Sequence, residues 1–182
     1  MTRSEATKKF LVISAVGEDR AGIVNAFSRA VLDYQCNIED SRMTVLGGEF
    51  ALILLISGKW NAVAKLEAAM PELERKLKLT LIVKHTQVRE RAANLMPYVV
   101  DVVALDHPGI VHEVAQFFSS REINIEELST SAYAAAHTGT PMFALTMTVS
   151  VPAQLHIGQL RNEFTDFCDH LNLDATLEPA RH

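Results

Sequence analysis

Cysteine is scarce: Cys36 and Cys168 are the only two in 182 residues. Two thiols give neither a disulfide framework nor a Cys-x-x-Cys metal loop, so core packing is the expected role of both. Long apolar runs are missing as well. The longest strongly apolar stretch, Phe50 to Ile56, is far too short for a helix that crosses a bilayer, which needs about 20 residues. Residues 1–9 lack the apolar stretch of a secretory signal. The expectation is a soluble, cytoplasmic protein with no membrane partner.

Catalytic signatures are equally sparse. The histidines at 85, 107, 112, 137, 156, 170 and 182 form no HExxH or other ligand spacing, and His107 and His112 are five apart, off one helical face. No GxSxG, Walker loop or GxGxxG is present. Neither a catalytic residue, a metal nor a cofactor is expected, and the chain reads as a non-enzyme.

Charge is divided unevenly. Residues 1–90 hold 13 Lys/Arg and 11 Asp/Glu, whereas residues 91–182 hold 4 and 11. An acidic second half is a poor surface for nucleic acid, whose affinity rests largely on phosphate neutralisation. It suits a solubilising surface, a basic patch on a partner protein, or the more basic first half of another copy.

What the chain does have is a repeat. Val12-Ile-Ser-Ala-Val-Gly-Glu-Asp19-Arg-Ala-Gly22-Ile-Val returns as Val99-Val-Asp-Val-Val-Ala-Leu-Asp106-His-Pro-Gly109-Ile-Val, and Asn37-Ile-Glu39 as Asn124-Ile-Glu126. Phe50-Ala-Leu, in a run ending at Ser57, returns as Phe143-Ala-Leu in one ending at Ser150. The offset is 87 residues at Asp19 and 93 at Phe50, so the second copy carries six extra residues. Two small similar domains follow, at 1–88 and 89–182, with a charged linker at about 86–96.

Within the first copy, Phe10–Gly17 is a β-rich run ended by a turn. Ile23/Val24, Phe27, Ala30/Val31 and Tyr34 then recur at helical spacing. Asn37–Leu46 and Glu49–Ser57 read as strands joined by a tight Gly47-Gly48 hairpin. Val63, Leu66, Met70, Leu73 and Leu77 trace a second helix before a strand at Leu79–Thr86. The second copy repeats the order with strands at Pro97–Ala104, Ile123–Tyr133, Met142–Val151 and Leu173–Leu177. Its helices run over Gly109–Arg121 and Leu155–Leu171, with Pro152 suited to the first turn of the latter. The extra residues fall in the hairpin loop Ala134–Pro141. The fold class is α+β: two tandem ferredoxin-like βαββαβ units, each an antiparallel sheet with helices on one face.

Chemistry concentrates at the first strand-to-helix turns, Asp19-Arg20-Ala21-Gly22 and Asp106-His107-Pro108-Gly109. Each Asp is a good N-cap, and Pro108 presets φ there. Glycine in a first turn weakens a helix by about 0.5–1 kcal/mol against alanine. Two such glycines at one repeat position favour close backbone approach, by a ligand or by a neighbouring strand. A helix N-terminus offers N–H donors and a positive dipole end to a carboxylate. An Asp not engaged as a cap suits an ammonium group, and Asn37 and Asn124 can add an amide from across the sheet edge. The set fits an α-amino acid. For one as small as glycine, about 1.5 kcal/mol per heavy atom caps affinity near the micromolar range.

D-x-P-G-I-V after a first strand, N-I opening the second, and a duplicated βαββαβ plan resemble the ACT domain, a regulatory module that binds amino acids. The resemblance covers nearly the whole chain. A bare tandem of two units, with Asn37-Ile-Glu-Asp-Ser, is similar to the group of repressors of the glycine cleavage system genes. It implies ligand sites at ACT–ACT interfaces, formed by Asp19, Arg20, Ala21, Gly22, Ile23 and Val24 with Asn37 and Ile38, and by Asp106, His107, Pro108, Gly109, Ile110 and Val111 with Asn124 and Ile125. It also implies glycine as effector, a homo-dimer or higher oligomer, and repression through a DNA-binding transcriptional activator rather than through DNA. Ala21 departs from the proline of the pattern. Alternatives are an oligomerisation module without ligand, a regulatory partner of a metabolic enzyme, and an RNA-recognition module of the same strand order. The last needs exposed aromatics on its central strands, where Phe50 and Phe143 stand alone.

Overall fold

The computed structural model describes residues 8–87 and 94–180, which divide into two compact units on either side of residue 90. The first contains β1 (Lys8–Glu18), α1 (Ile23–Asp33), β2 (Asn37–Leu46), β3 (Glu49–Lys59), α2 (Trp60–Leu77) and β4 (Thr80–Thr86). The second contains β5 (Leu95–Leu105), α3 (Ile110–Ser119), β6 (Asn124–Ala134), β7 (Pro141–Pro152), α4 (Ile157–His170) and β8 (Asp174–Pro179). Both sheets are antiparallel, in the orders β2-β3-β1-β4 and β6-β7-β5-β8. The expected βαββαβ plan stands in duplicate.

Alternation along the central strands decides which face is covered. Leu11, Ile13 and Ala15 of β1 and Phe50, Leu52, Leu54 and Ile56 of β3 are buried. All but Leu11 cluster with Ile23, Phe27 and Val31 of α1 and Leu66 and Met70 of α2. The second unit repeats this with Val100, Val102, Leu145, Met147 and Val149 under Ile110, Val114, Phe118, Leu160 and Phe164. Cys168 lies in that core, and Cys36 packs partly buried at the edge of the first, as expected of both.

The sequence reading needs adjustment at three places. Thr86 belongs to β4, and Leu95 and Met96 to β5, while residues 88–93 of the expected linker lie outside the described residues. Pro152 closes β7 opposite Leu95 instead of opening a helix, a strand end being a place where a missing N–H is tolerated. Leu155 precedes α4, whose N-cap is His156. Of the six extra residues, four lengthen the hairpin loop at 135–140, and one each extends β6 and β7.

Two inter-element loops in each unit hold a non-glycine residue at positive φ: Gln35 and Lys78, then Glu122 and Asn172. Gln35 and Glu122 occupy the same repeat position. Duplication is thus visible in backbone conformation as well as in residue identity.

Candidate functional site

The two predicted turns lie at the end of the sheet where the hairpins turn. The Asp19 amide donates to the Gly48 carbonyl at 3.0 Å, and the Asp106 amide to the Pro141 carbonyl at 3.0 Å. The hairpin thereby fixes the level at which each chain leaves the sheet for its helix. Gly22 and Gly109, not the aspartates, are the N-caps, with φ of +95° and +107°, and neither helix has a side-chain cap. The Asp-cap expectation is corrected: within the described residues neither carboxylate makes a hydrogen bond or ion pair. The positive φ by itself accounts for both glycines, since side chains strain that conformation. A Cβ on Gly22 would meet nothing within 4 Å.

Removing the Asp cap leaves the first amides of α1 without a side-chain acceptor. The Arg20 guanidinium donates to the Leu77 carbonyl, at the C-terminal end of α2. The second turn differs. Glu113 lies in the first turn of α3, where the first copy has Ala26. One of its oxygens, Oε1, stands 3.9 Å from the position of a Gly109 Cβ, and the other, Oε2, is buried with no hydrogen-bond partner. This carboxylate was not among the sequence candidates, because a Glu at that spacing reads as ordinary helix-dipole compensation. At His107, Nδ1 lies 3.1 Å from the Pro108 carbonyl.

The predicted set does not assemble within one unit. Asn37 shares a ladder row with Ser57, Phe10 and Thr86, whereas Asp19 follows β1 at its other end. Nine residues of β1 separate the two levels, roughly 30 Å at about 3.3 Å per residue. Asn124, in the row of Ser150 and Pro97, is equally far from Asp106. Ile23 and Ile110 bury their side chains in the core and can offer a ligand only their backbone amides, and Ile38 and Ile125 also pack inward. Val24 and Val111 are exposed.

At the far end, each unit holds a polar cluster that spacing did not reveal. The Asn37 amide donates to Glu39 Oε1 at 3.3 Å, the same oxygen accepts the Ser57 hydroxyl, and Lys8 Nζ lies 2.7 Å from it. In the second unit Glu126 Oε1 accepts Asn124 at 3.1 Å and Ser150 at 2.9 Å. Both ladders carry a register shift around the glutamate, between Ile38 and Asp40 and between Ile125 and Glu127. The inserted residue keeps Glu beside Asn while Asp40 still faces outward. Contacts from Lys8, then Ser57 and Asn37, hold the Glu39 carboxyl down at about 2. The repeated Asn-Ile-Glu was legible as a string, but its link to the serines that end the apolar runs requires the ladder.

Two surface hollows of about 370 Å³ each contain none of these predicted residues; one lies along Cys168–Ala175 and the other beside Val12, Arg42, Ile53 and Leu55. Among the described residues no helix is long and apolar enough to cross a membrane.

Comparison with known proteins agrees with this architecture. The ACT domain family matches residues 9–84. The glycine cleavage system transcriptional repressor of Escherichia coli (strain K12) is 33% identical over 177 residues, 97% of this chain and 93% of that protein. A solved candidate glycine cleavage system transcriptional repressor is 31% identical and superposes with a TM-score of 0.74 over 96% of this chain and 99% of its own. A solved structure described as an unknown protein from Galdieria sulphuraria is 28% identical, with a TM-score of 0.82 over 96% of this chain and 99% of its own.

Proposed function

Because the chain belongs to the family of the glycine cleavage system transcriptional repressor, with ACT-type units, we propose that it is a cytoplasmic, non-enzymatic regulator that senses a small amino acid. The effector joins two copies of the chain. Its carboxylate sits on the amides at the start of α1, and its ammonium group meets Asn37 or Asn124 of a second copy of the chain. The N-terminus of α1 at Gly22, whose first amides no side chain caps, is the observation that carries this reading. Of the two turns, the first is the better carboxylate acceptor, because Glu113 places a like charge beside Gly109.

A site completed only by a second copy accounts for the roughly 30 Å between the turn and the asparagine of one unit. It also makes ligand and assembly interdependent, so a homo-dimer or larger oligomer is the working form. Ligand-dependent association of copies then changes affinity for a DNA-binding activator of glycine cleavage genes. Coupling of about 1–3 kcal/mol suffices for a 5- to 150-fold response.

Calorimetry with glycine, serine and alanine tests the sensing step, and pull-down of the activator with and without glycine tests its output. The reading predicts micromolar or weaker binding, lost in an Arg20→Glu variant, and ligand-dependent capture. A wild-type protein that binds no amino acid and captures the activator regardless would leave only an assembly module.

A further inference from the structure

The polar cluster at the heads of β2 and β6 sets which end of the effector each asparagine can recognise. An ionised carboxylate accepts hydrogen bonds and donates none. Glu39, held ionised by its contacts down to about pH 2, therefore requires the Asn37 side chain to turn its NH2 group inward. The same logic orients Asn124 toward Glu126. This assignment follows from chemistry, not from the nearly symmetric shape of an amide. Both asparagines are exposed, and no described residue donates to either carbonyl oxygen. Each therefore presents an acceptor to its surroundings.

We propose that Glu39 and Glu126 are positioning residues that turn Asn37 and Asn124 carbonyl-outward, so that the site takes a free α-ammonium group and rejects effectors whose nitrogen is acylated or absent. The inference rests on the amino-acid reading above and deepens it. Two features common to both units support it, and a third belongs to the first unit. The glutamate is the inserted residue of a bulge, a device that re-aims a side chain. A serine on the neighbouring strand, Ser57 or Ser150, pins the same carboxylate oxygen that binds the asparagine. Ser57 is wholly buried, so its hydroxyl holds the glutamate from beneath. Such a chain fixes rotamers before a ligand arrives, which limits the ordering cost of binding. Lys8 adds to it only in the first unit, where Leu95 stands at the matching place in the second.

The test compares the wild-type full-length protein with two double variants, Glu39→Ala/Glu126→Ala and Glu39→Gln/Glu126→Gln. Glutamine keeps a carbonyl acceptor for the asparagine, whereas alanine removes it. Calorimetry with glycine, N-acetylglycine and glycolate reads selectivity, and the side-chain NH2 resonances of Asn37 and Asn124 read orientation without any ligand. The expected result is at least about tenfold preference for glycine in the wild type, given hydrogen bonds to a charged group. The glutamine variant keeps that preference. The alanine variant loses it, and its asparagine NH2 resonances converge toward those of a free amide. Equal binding of glycine and N-acetylglycine by the wild type, or an alanine variant with unchanged selectivity or unchanged resonances, overturns the proposal. A wild-type protein that binds none of the three ligands overturns the amino-acid reading, while the resonances still decide the orientation of the asparagines.

Discussion

Ser57 donates its hydroxyl to the Glu39 carboxylate from a position with no solvent exposure. Lys8 and Asn37 contact the same oxygen from the exposed side. Together, with Lys8 first, they move the glutamate from an ordinary value of 4.5 to about 2. A carboxylate with a depressed folded-state value stabilises the protein above its unfolded value and ceases to do so as pH falls through the folded one. Urea midpoints of the wild type should therefore fall between pH 4.5 and 2 more steeply than those of Glu39→Gln. Parallel profiles for the two proteins would show that the contact contributes nothing.

Cys168 is buried, and desolvation, helped by Asp169, pushes its thiol up to about 12. Burial raises the half-buried Cys36 thiol as well. Thiolate is the reactive form. A disulfide-exchange reagent at pH 8 should modify Cys36 slowly and Cys168 only on unfolding. Rapid loss of both thiols in the native protein would contradict the described packing.

Gly22 and Gly109 cap their helices at φ of +95° and +107°. Residues with a Cβ are strained there by about 1–3 kcal/mol. Gly22→Ala and Gly109→Ala should each lower stability by that order in chemical denaturation, with valine at either position worse. Retained stability in the alanine variants would mean that the turn relaxes to negative φ, and that the glycines serve close approach instead.

Phe118 is fully buried, with ring centroids 5.2 Å from both Phe117 and Phe164. Arg121 sits 3.8 Å over the Phe117 ring and pairs with Glu163 at 2.9 Å, closing the cluster toward solvent. Truncating such a ring removes buried area and leaves a cavity. Phe118→Ala should cost about 3–5 kcal/mol, with amide protection lost in residues 94–180 and kept in residues 8–87. Equal loss in both units would mean that they unfold as one.

Much of the fold was legible because its determinants are local. Apolar period gave both helices of each unit. The bounds Asn37–Leu46 followed from Asn at one end and Gly47-Gly48 at the other. Where one residue serves two purposes, the string misled. Pro152 fits a helix start and a strand end equally well, and only its partner Leu95 separates them. Gln35, Lys78 and Glu122 carry left-handed turns that their residue types do not announce; only Asn172 is of a type that favours one.

The sequence by itself determined the duplication, the element order, the buried faces and the candidate turns, since all of these are written in spacing along the chain. Tertiary structure alone decided that Asn37 and Gly22 stand at opposite ends of one unit, that Gly rather than Asp caps each helix, and that Ser57 and Ser150 reach the glutamates. Those facts depend on strand register and backbone dihedral. Register is set by how whole strands pair, so neighbours in space need share no recognisable distance in sequence.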